Sequence, residues 1–346
     1  MKRFFILLII LFSCNTYAAT HYISADDGSD SNGGTSWVDS WLTLGKANGN
    51  VSAGDTVVCA PGTFTEQFDP TDSGSDGNFI IYIDSLRYNN YNIDYPLSDW
   101  SVIIDGEDTR NYCINLNGVS YIKFIGFKLI RANTALFYDQ SNADDNVINQ
   151  CKFEDLNDND YMVIINGEVD VTSNLFLGNG VQAGALRIGG GGGNPVCDII
   201  NNTFYGDFTN EVIRMQDDAA VTIKFKNNIV VNTSATASDQ LIEIDDQFID
   251  DINYNCYFDT STYTSPFRIN STDYSTFIGY RTAAQIFDGD AESNSFCSDP
   301  VLQDISTICT ILPSSPCWNV GVDVGYGNKI GWWQGRPGQI LSVIIQ

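Results

Sequence analysis

The chain has 346 residues, of which 43% are hydrophobic and 12% aromatic, and its formal net charge is −26. A surface of that sign repels phosphate backbones, which excludes nucleic acid as a partner. The same carboxylates suit a hard cation such as Ca2+.

The first 18 residues read as a secretory leader. Lys2 and Arg3 form a basic start, and Phe4 to Phe12 form an apolar run too short to span a bilayer. Thr16-Tyr17-Ala18 places small residues at the −3 and −1 positions of a signal-peptidase cut after Ala18. A lipoprotein signal leading to Cys14 is the second reading, and the bulky Phe12 fits it poorly. The expectation is a secreted or periplasmic protein, with one domain over residues 19–346 and no membrane span. Cleavage after Ala18 leaves eight cysteines: Cys59, Cys113, Cys151, Cys197, Cys256, Cys297, Cys309 and Cys317. An oxidising compartment permits disulfides in any of 105 full pairings, and buried free thiols in a β core are the alternative. Zinc is disfavoured, because His21 is the only histidine and no C-x-x-C pair exists.

From about residue 124 a motif recurs: an apolar residue, then Asn, any residue and a large apolar side chain. It reads Val171…Asn174-Leu175-Phe176, Ile199…Asn202-Thr203-Phe204, Phe225…Asn228-Ile229-Val230 and Ile252…Asn255-Cys256-Tyr257. Two earlier copies, ending at Leu129 and Phe153, lack the Asn. The last position steps by 24, 23, 28, 26 and 27 residues. Within each unit the pattern alternates with period 2, which predicts coils of short strands rather than helical repeats. Leu129, Phe153, Phe176, Phe204, Val230 and Tyr257 then form an apolar stack, and the four Asn residues an amide ladder at a turn. A second strand aligns Leu136-Phe137-Tyr138 with Val163-Ile164-Ile165, followed by Leu186-Arg187-Ile188, Ile213-Arg214-Met215, Ile242-Glu243-Ile244 and Phe267-Arg268-Ile269. Inward, outward, inward is the reading of its three columns.

With these repeats the chain resembles the secreted bacterial, right-handed parallel β-helix proteins of the pectin-lyase-like superfamily. The likeness is carried by His21-Tyr22-Ile23-Ser24 with the Gly28–Gly34 stretch, by Ala53-Gly54-Asp55-Thr56-Val57-Val58 with Ala60-Pro61-Gly62-Thr63-Phe64, and by Ser298-Asp299-Pro300-Val301-Leu302 with Ser315-Pro316-Cys317-Trp318-Asn319-Val320-Gly321. It implies an all-β solenoid with coils over about residues 55–280, a short helix over Ser40–Ala47 closing the first coil, and an irregular C-terminal cap over about 281–346. A cap is physically needed, because an open solenoid end exposes unpaired strand edges. One residue of Trp332-Trp333 would seal that end, while Trp37 and Trp41 fit cap packing.

The outward column holds Arg187, Arg214, Glu243 and Arg268, three of the 17 basic residues of the chain. Beside it run Asp139, Asn166, Gly189, Gln216, Asp245 and Asn270, and one step further come Asp217 and Asp246. Three readings compete. A charge ladder contributes a few tenths to about 1 kcal/mol per cross-strand pair. A groove for an acidic or neutral polysaccharide would use Arg268, Glu243, Gln216 and Asn270, the guanidinium fork suiting carboxylate or sulfate. A catalytic site would use Arg187, Arg214, Asp217 and Asp246. In a polysaccharide lyase, Ca2+ on Asp217, Asp245 and Asp246 would neutralise a uronate carboxylate, an outline that the family resemblance implies. In a retaining glycosidase, Asp217 and Asp246 would act about 5–5.5 Å apart as acid and nucleophile. The Gly-His-Gly segment and Arg-x-Lys pair of the family's polygalacturonases are missing from the sequence. Gly189 to Gly193 does not open a helix and reads as a loop between coils, not a dinucleotide site. The sequence thus points to a secreted β-helix protein that binds, and in its enzymatic reading cleaves, an extracellular polysaccharide. A non-catalytic surface or matrix protein is the alternative.

Overall fold

A computed structural model of the chain describes residues 18–89, 100–140, 145–190, 196–216, 222–234, 240–245, 248–249, 251–260, 264–300, 302–303, 310–311 and 314–317. Short strands separated by sharp corners wind these residues into a parallel β-solenoid with three sheets of nine, nine and eight strands. The first sheet runs from Thr20–Ile23 to Asp251–Asn253, and the second from Gly62–Phe64 to Phe296–Cys297. The third runs from Tyr112–Leu116 through Ala135–Asp139, Tyr161–Ile165, Gly184–Ile188, Ile213–Met215 and Ile242–Ile244 to Phe267–Ile269. Its last strand, Thr272–Tyr274, returns antiparallel. One apolar core extends along the axis from Ile23 to Ala291. This is the predicted parallel β-helix.

Each Asn of the predicted ladder sits at the corner between the first and second sheets. Asn174, Asn202 and Asn228 donate their backbone N–H to Oδ1 of the Asn on the next coil at 2.9, 2.9 and 3.0 Å. Their Nδ2 groups donate to Ile148, Val171 and Ile199 carbonyls of the preceding coil. Ser295 Oγ closes the ladder by accepting from Asn255 N at 2.8 Å. The left-handed backbone belongs to the residue before each Asn: Ser173, Asn201, Asn227 and Tyr254 have φ between 57° and 61°. Asn is therefore selected here for its side chain, which satisfies a buried backbone N–H and a buried carbonyl of the preceding coil. One step along, the Phe153, Phe176 and Phe204 rings stack at 4.7 and 4.6 Å, in register with Leu129, Val230 and Tyr257.

The third sheet has the predicted register from Val163 onward. The first row is one residue off the expected alignment: Phe137 pairs with Val163, Tyr138 with Ile164 and Asp139 with Ile165. Ala135, Leu136 and Phe137 are all buried, so alternation gives no phase there, and half-exposed Tyr138 takes the outward position. Asp139 accordingly leaves the column of Asn166, Gly189, Gln216, Asp245 and Asn270. It is buried at the strand end, where its carboxylate accepts from Gly167 N.

The caps differ from expectation. At the N-terminal end, two 3-10 turns, Trp37–Asp39 and Leu44–Ala47, replace the single helix predicted over Ser40–Ala47, and Trp41 between them joins Ile23 by a β-bridge. At the C-terminal end an α-helix, Phe277–Ala284, opens the cap predicted to be irregular; Tyr280 stacks on Phe267 with ring centroids 4.8 Å apart. Cys59, Cys113, Cys151, Cys197, Cys256 and Cys317 are buried free thiols, and Cys297 is an exposed one. Asp217, Asp246, Cys14, Cys309, Gly191 to Pro195 and Trp332-Trp333 lie outside the described residues.

Candidate functional site

The outward face of the third sheet carries two columns of side chains, because each strand enters through a corner. The order is out, in, in, out, in: Tyr161, Met162, Val163, Ile164, Ile165 on one coil, then Gly184 to Ile188, and Glu211 to Met215. Met162, Val163, Ile165, Val212, Ile213 and Met215 belong to the core, whereas Tyr161 and Ile164 pack in a separate outer cluster with Tyr112 and Tyr138. One column thus reads Tyr112, Ala135, Tyr161, Gly184, Glu211, Gln240. The other reads Tyr138, Ile164, Arg187, Arg214, Glu243, Arg268, which is the predicted column from Ile164 onward, with Tyr138 in place of Phe137.

Glu211 lies beside the predicted arginines and was not among the predicted residues. Tyr161 Oη donates to Glu211 Oε2 at 2.8 Å across two coils. Gly184 makes this reach possible. A Cβ at that position would stand 2.4 Å from Tyr161 Cε1 and 2.1 Å from the Glu211 carbonyl oxygen. Arg268 Nη1 approaches Glu211 Oε1 at 3.9 Å and Glu243 Oε2 at 3.6 Å, while its Nε donates to Asp273 Oδ1 at 2.7 Å. Arg214 Nε is 3.8 Å from Glu243 Oε2. Gln216 Nε2 reaches Glu243 Oε1 at 3.4 Å. Arg187 pairs with Asp160 at 3.7 Å, over the Tyr161 ring. Arg187, Arg214, Glu243, Arg268 and Gln216 therefore share one surface. Asn270 is exposed in the left-handed turn that starts the return strand. Asp245 follows Glu243 by two residues, continuing the backbone ladder to Met215. Among the described residues no group of three metal-ligating side chains converges. The calcium and paired-Asp readings rest on Asp217 and Asp246, beyond those residues.

The electrostatics centre on Glu211 and Glu243, which lie on neighbouring coils and act on each other's ionisation. Burial, followed by the hydrogen bond and charge of Glu211, pushes Glu243 up to about 7. Burial also acts on Glu211, but hydrogen bonds from Glu243, its own backbone and Tyr161, together with Arg214, hold it below its usual value. Geometry agrees: among the described residues no donor lies within hydrogen-bonding distance of buried Glu243 Oε2. The Arg187, Arg214 and Arg268 side chains keep 30%, 32% and 25% of their surface exposed, whereas Glu243 keeps 7%. The solvent-facing part of the cluster is the three arginines, with Asp160 and Asp273 paired to Arg187 and Arg268, and its floor holds Glu211 and Glu243. Two coils before Arg187 on the same face, Tyr138 stacks on Tyr112 with ring centroids 4.7 Å apart.

No family model and no curated protein matches this chain. Solved structures of similar shape include a complex of XylC with xylose, at 13% identity and TM-score 0.44, covering 72% of this chain and 66% of that one. A mannuronic acid-specific polysaccharide family 6 lyase from human gut microbiota aligns at 14% identity and TM-score 0.44, covering 70% of this chain and 55% of that one. Pectate lyase Pel9A aligns at 12% identity and TM-score 0.44, covering 92% of this chain and 96% of that one. This chain spans about two thirds of the first and just over half of the second. The solenoid itself agrees with the pectin-lyase-like parallel β-helix that the sequence resembles.

Proposed function

We propose that the protein is secreted and binds an acidic polysaccharide along the outward face of its third sheet. The supporting observation is the row of Arg187, Arg214 and Arg268 above the buried Glu211 and Glu243, in a chain of net charge −26. Guanidinium forks bind carboxylates through paired N–H donors, and the Tyr112–Tyr138 stack offers ring faces to a sugar. Protonated Glu243 leaves its flanking arginines partly uncompensated, so an anionic ligand meets an attractive surface. Ionised Glu243 competes for the same guanidiniums.

The test is calorimetric titration of the purified protein with uronic-acid polymers and a neutral glucan, in calcium and in EDTA. Binding of the acidic polymers is expected to weaken as pH rises through 7. Arg214→Ala should weaken it about tenfold, equivalent to about 1.4 kcal/mol. Glu243→Gln should retain binding at pH 8, because the amide keeps the charge state of the protonated acid. Failure of every acidic polymer to bind between pH 5 and 8 would sink the reading.

The carboxyl pair also favours a second reading, cleavage by β-elimination. Ionised Glu211 would accept the proton next to the uronate carboxyl, and a protonated group of the cluster would return one to the leaving oxygen. Its test is the ultraviolet absorbance of the unsaturated product.

A further inference from the structure

At the opposite end of the molecule a buried carboxylate receives the start of the first strand. Asp55 Oδ1 accepts the backbone N–H of Ala19 at 2.6 Å, and Oδ2 accepts that of Ser52 at 2.9 Å. His21 Nε2 stands 3.3 Å from Oδ2, its ring stacked on Trp41 at 4.8 Å. Asp55 is only 6% exposed, whereas Ala18 and Ala19 are exposed. Pairing begins at once, with Thr56 N donating to the Ala19 carbonyl at 2.8 Å and Thr20 in register with Thr56. The chain is therefore fixed in space at the bond that the leader motif marks for cleavage.

We propose that hydrolysis of the Ala18–Ala19 bond creates an α-ammonium group at Ala19 that docks on Asp55, making Asp55 the receptor for the mature N-terminus. Water adds across the peptide bond; the carboxylate leaves with the leader, and the new amine takes up a proton. The neutral amide N–H beside Asp55 becomes a three-donor cation at the same place. A buried carboxylate is costly without a compensating charge, and charge-assisted hydrogen bonds are roughly twice as strong as neutral ones. Processing would thus stabilise the first strand against the second in addition to releasing the protein. The inference stands independently of what the third sheet binds.

The full chain with its own leader is produced in a secreting bacterium, and the product is examined by intact mass and N-terminal sequencing. A chain beginning at Ala19 is expected. A start at Cys14, at Thr20 or beyond, or a retained leader, overturns the proposal. The mature protein is then compared with a version carrying Gly-Ser ahead of Ala19, each with and without Asp55→Asn. The extension and the substitution should each lower the thermal midpoint, and their combination should lower it no further than the more damaging change alone. Additive effects would show that amine and carboxylate are uncoupled. Should Asp55→Asn fail to fold, an extension that leaves the wild-type midpoint unchanged is equally fatal.

Discussion

Glu243 illustrates why individual residues of the face were only partly legible. Its column could be read because Arg187, Arg214 and Arg268 interrupt otherwise apolar triplets, and the pairing register places them one above another. Glu211 and Tyr161 were hidden by the corner, where two consecutive inward residues break the period-2 alternation on which the reading relied. The fixed three-residue offset of Glu211 from Arg214 and of Gln240 from Glu243 is the signal that could have revealed them. Tyr161→Phe removes the donor to a buried carboxylate and should cost about 1–3 kcal/mol in chemical denaturation. It should also raise the pKa of Glu211, which a carboxyl NMR titration would register. Gly184→Ala should cost a further 1–3 kcal/mol or so, since its methyl group would meet the Tyr161 ring and a backbone oxygen. A Gly184→Ala protein as stable as the parent would show that Tyr161 does not need that gap.

Among the elements, the corner between the first two sheets was the most readable, because Asn recurs there at the same place in four successive units. The left-handed residue ahead of it varies among Ser, Asn and Tyr, and so carries no sequence signal. Asn202 is the informative position. Its Oδ1 accepts from Asn174 N and its Nδ2 donates to the Val171 carbonyl, all fully buried. Asn202→Ala leaves both groups unpaired and should destabilise the protein by about 2–4 kcal/mol. Asn202→Asp keeps the acceptor but adds a buried charge, and should be no better tolerated. Equal stability of Asn202→Ala and wild type in urea unfolding would refute the ladder. The first row of the third sheet slipped in the reading because its run of buried residues has no polar member until Tyr138.

On the scale of the whole molecule, the charge balance sets an acid-shifted stability. Burial raises Glu243 and Glu292 to about 7 and Asp170 to about 6. Between the ordinary carboxylate range and those values the folded chain holds protons that the unfolded chain has lost, so stability falls as pH rises through that window. Glu154 and Glu211 are lowered, and their contribution is lost on acidification below the ordinary value of 4.5. The thermal midpoint should therefore peak at about pH 4.5 and decline toward pH 8. A calorimetric series whose midpoint climbs steadily to pH 8 would contradict this. The solenoid itself was legible because stacking repeats the same residue types along its length. The cap helix was not, since Phe277–Ala284 occurs once and has no neighbour to compare with. The reversal of Thr272–Tyr274 against Phe267–Ile269 matters beyond its three residue pairs. A stack of same-direction strands offers its final edge as a template on which another molecule could elongate. By folding back once, the chain spends that edge on itself and presents in its place only a three-residue strand that runs the other way.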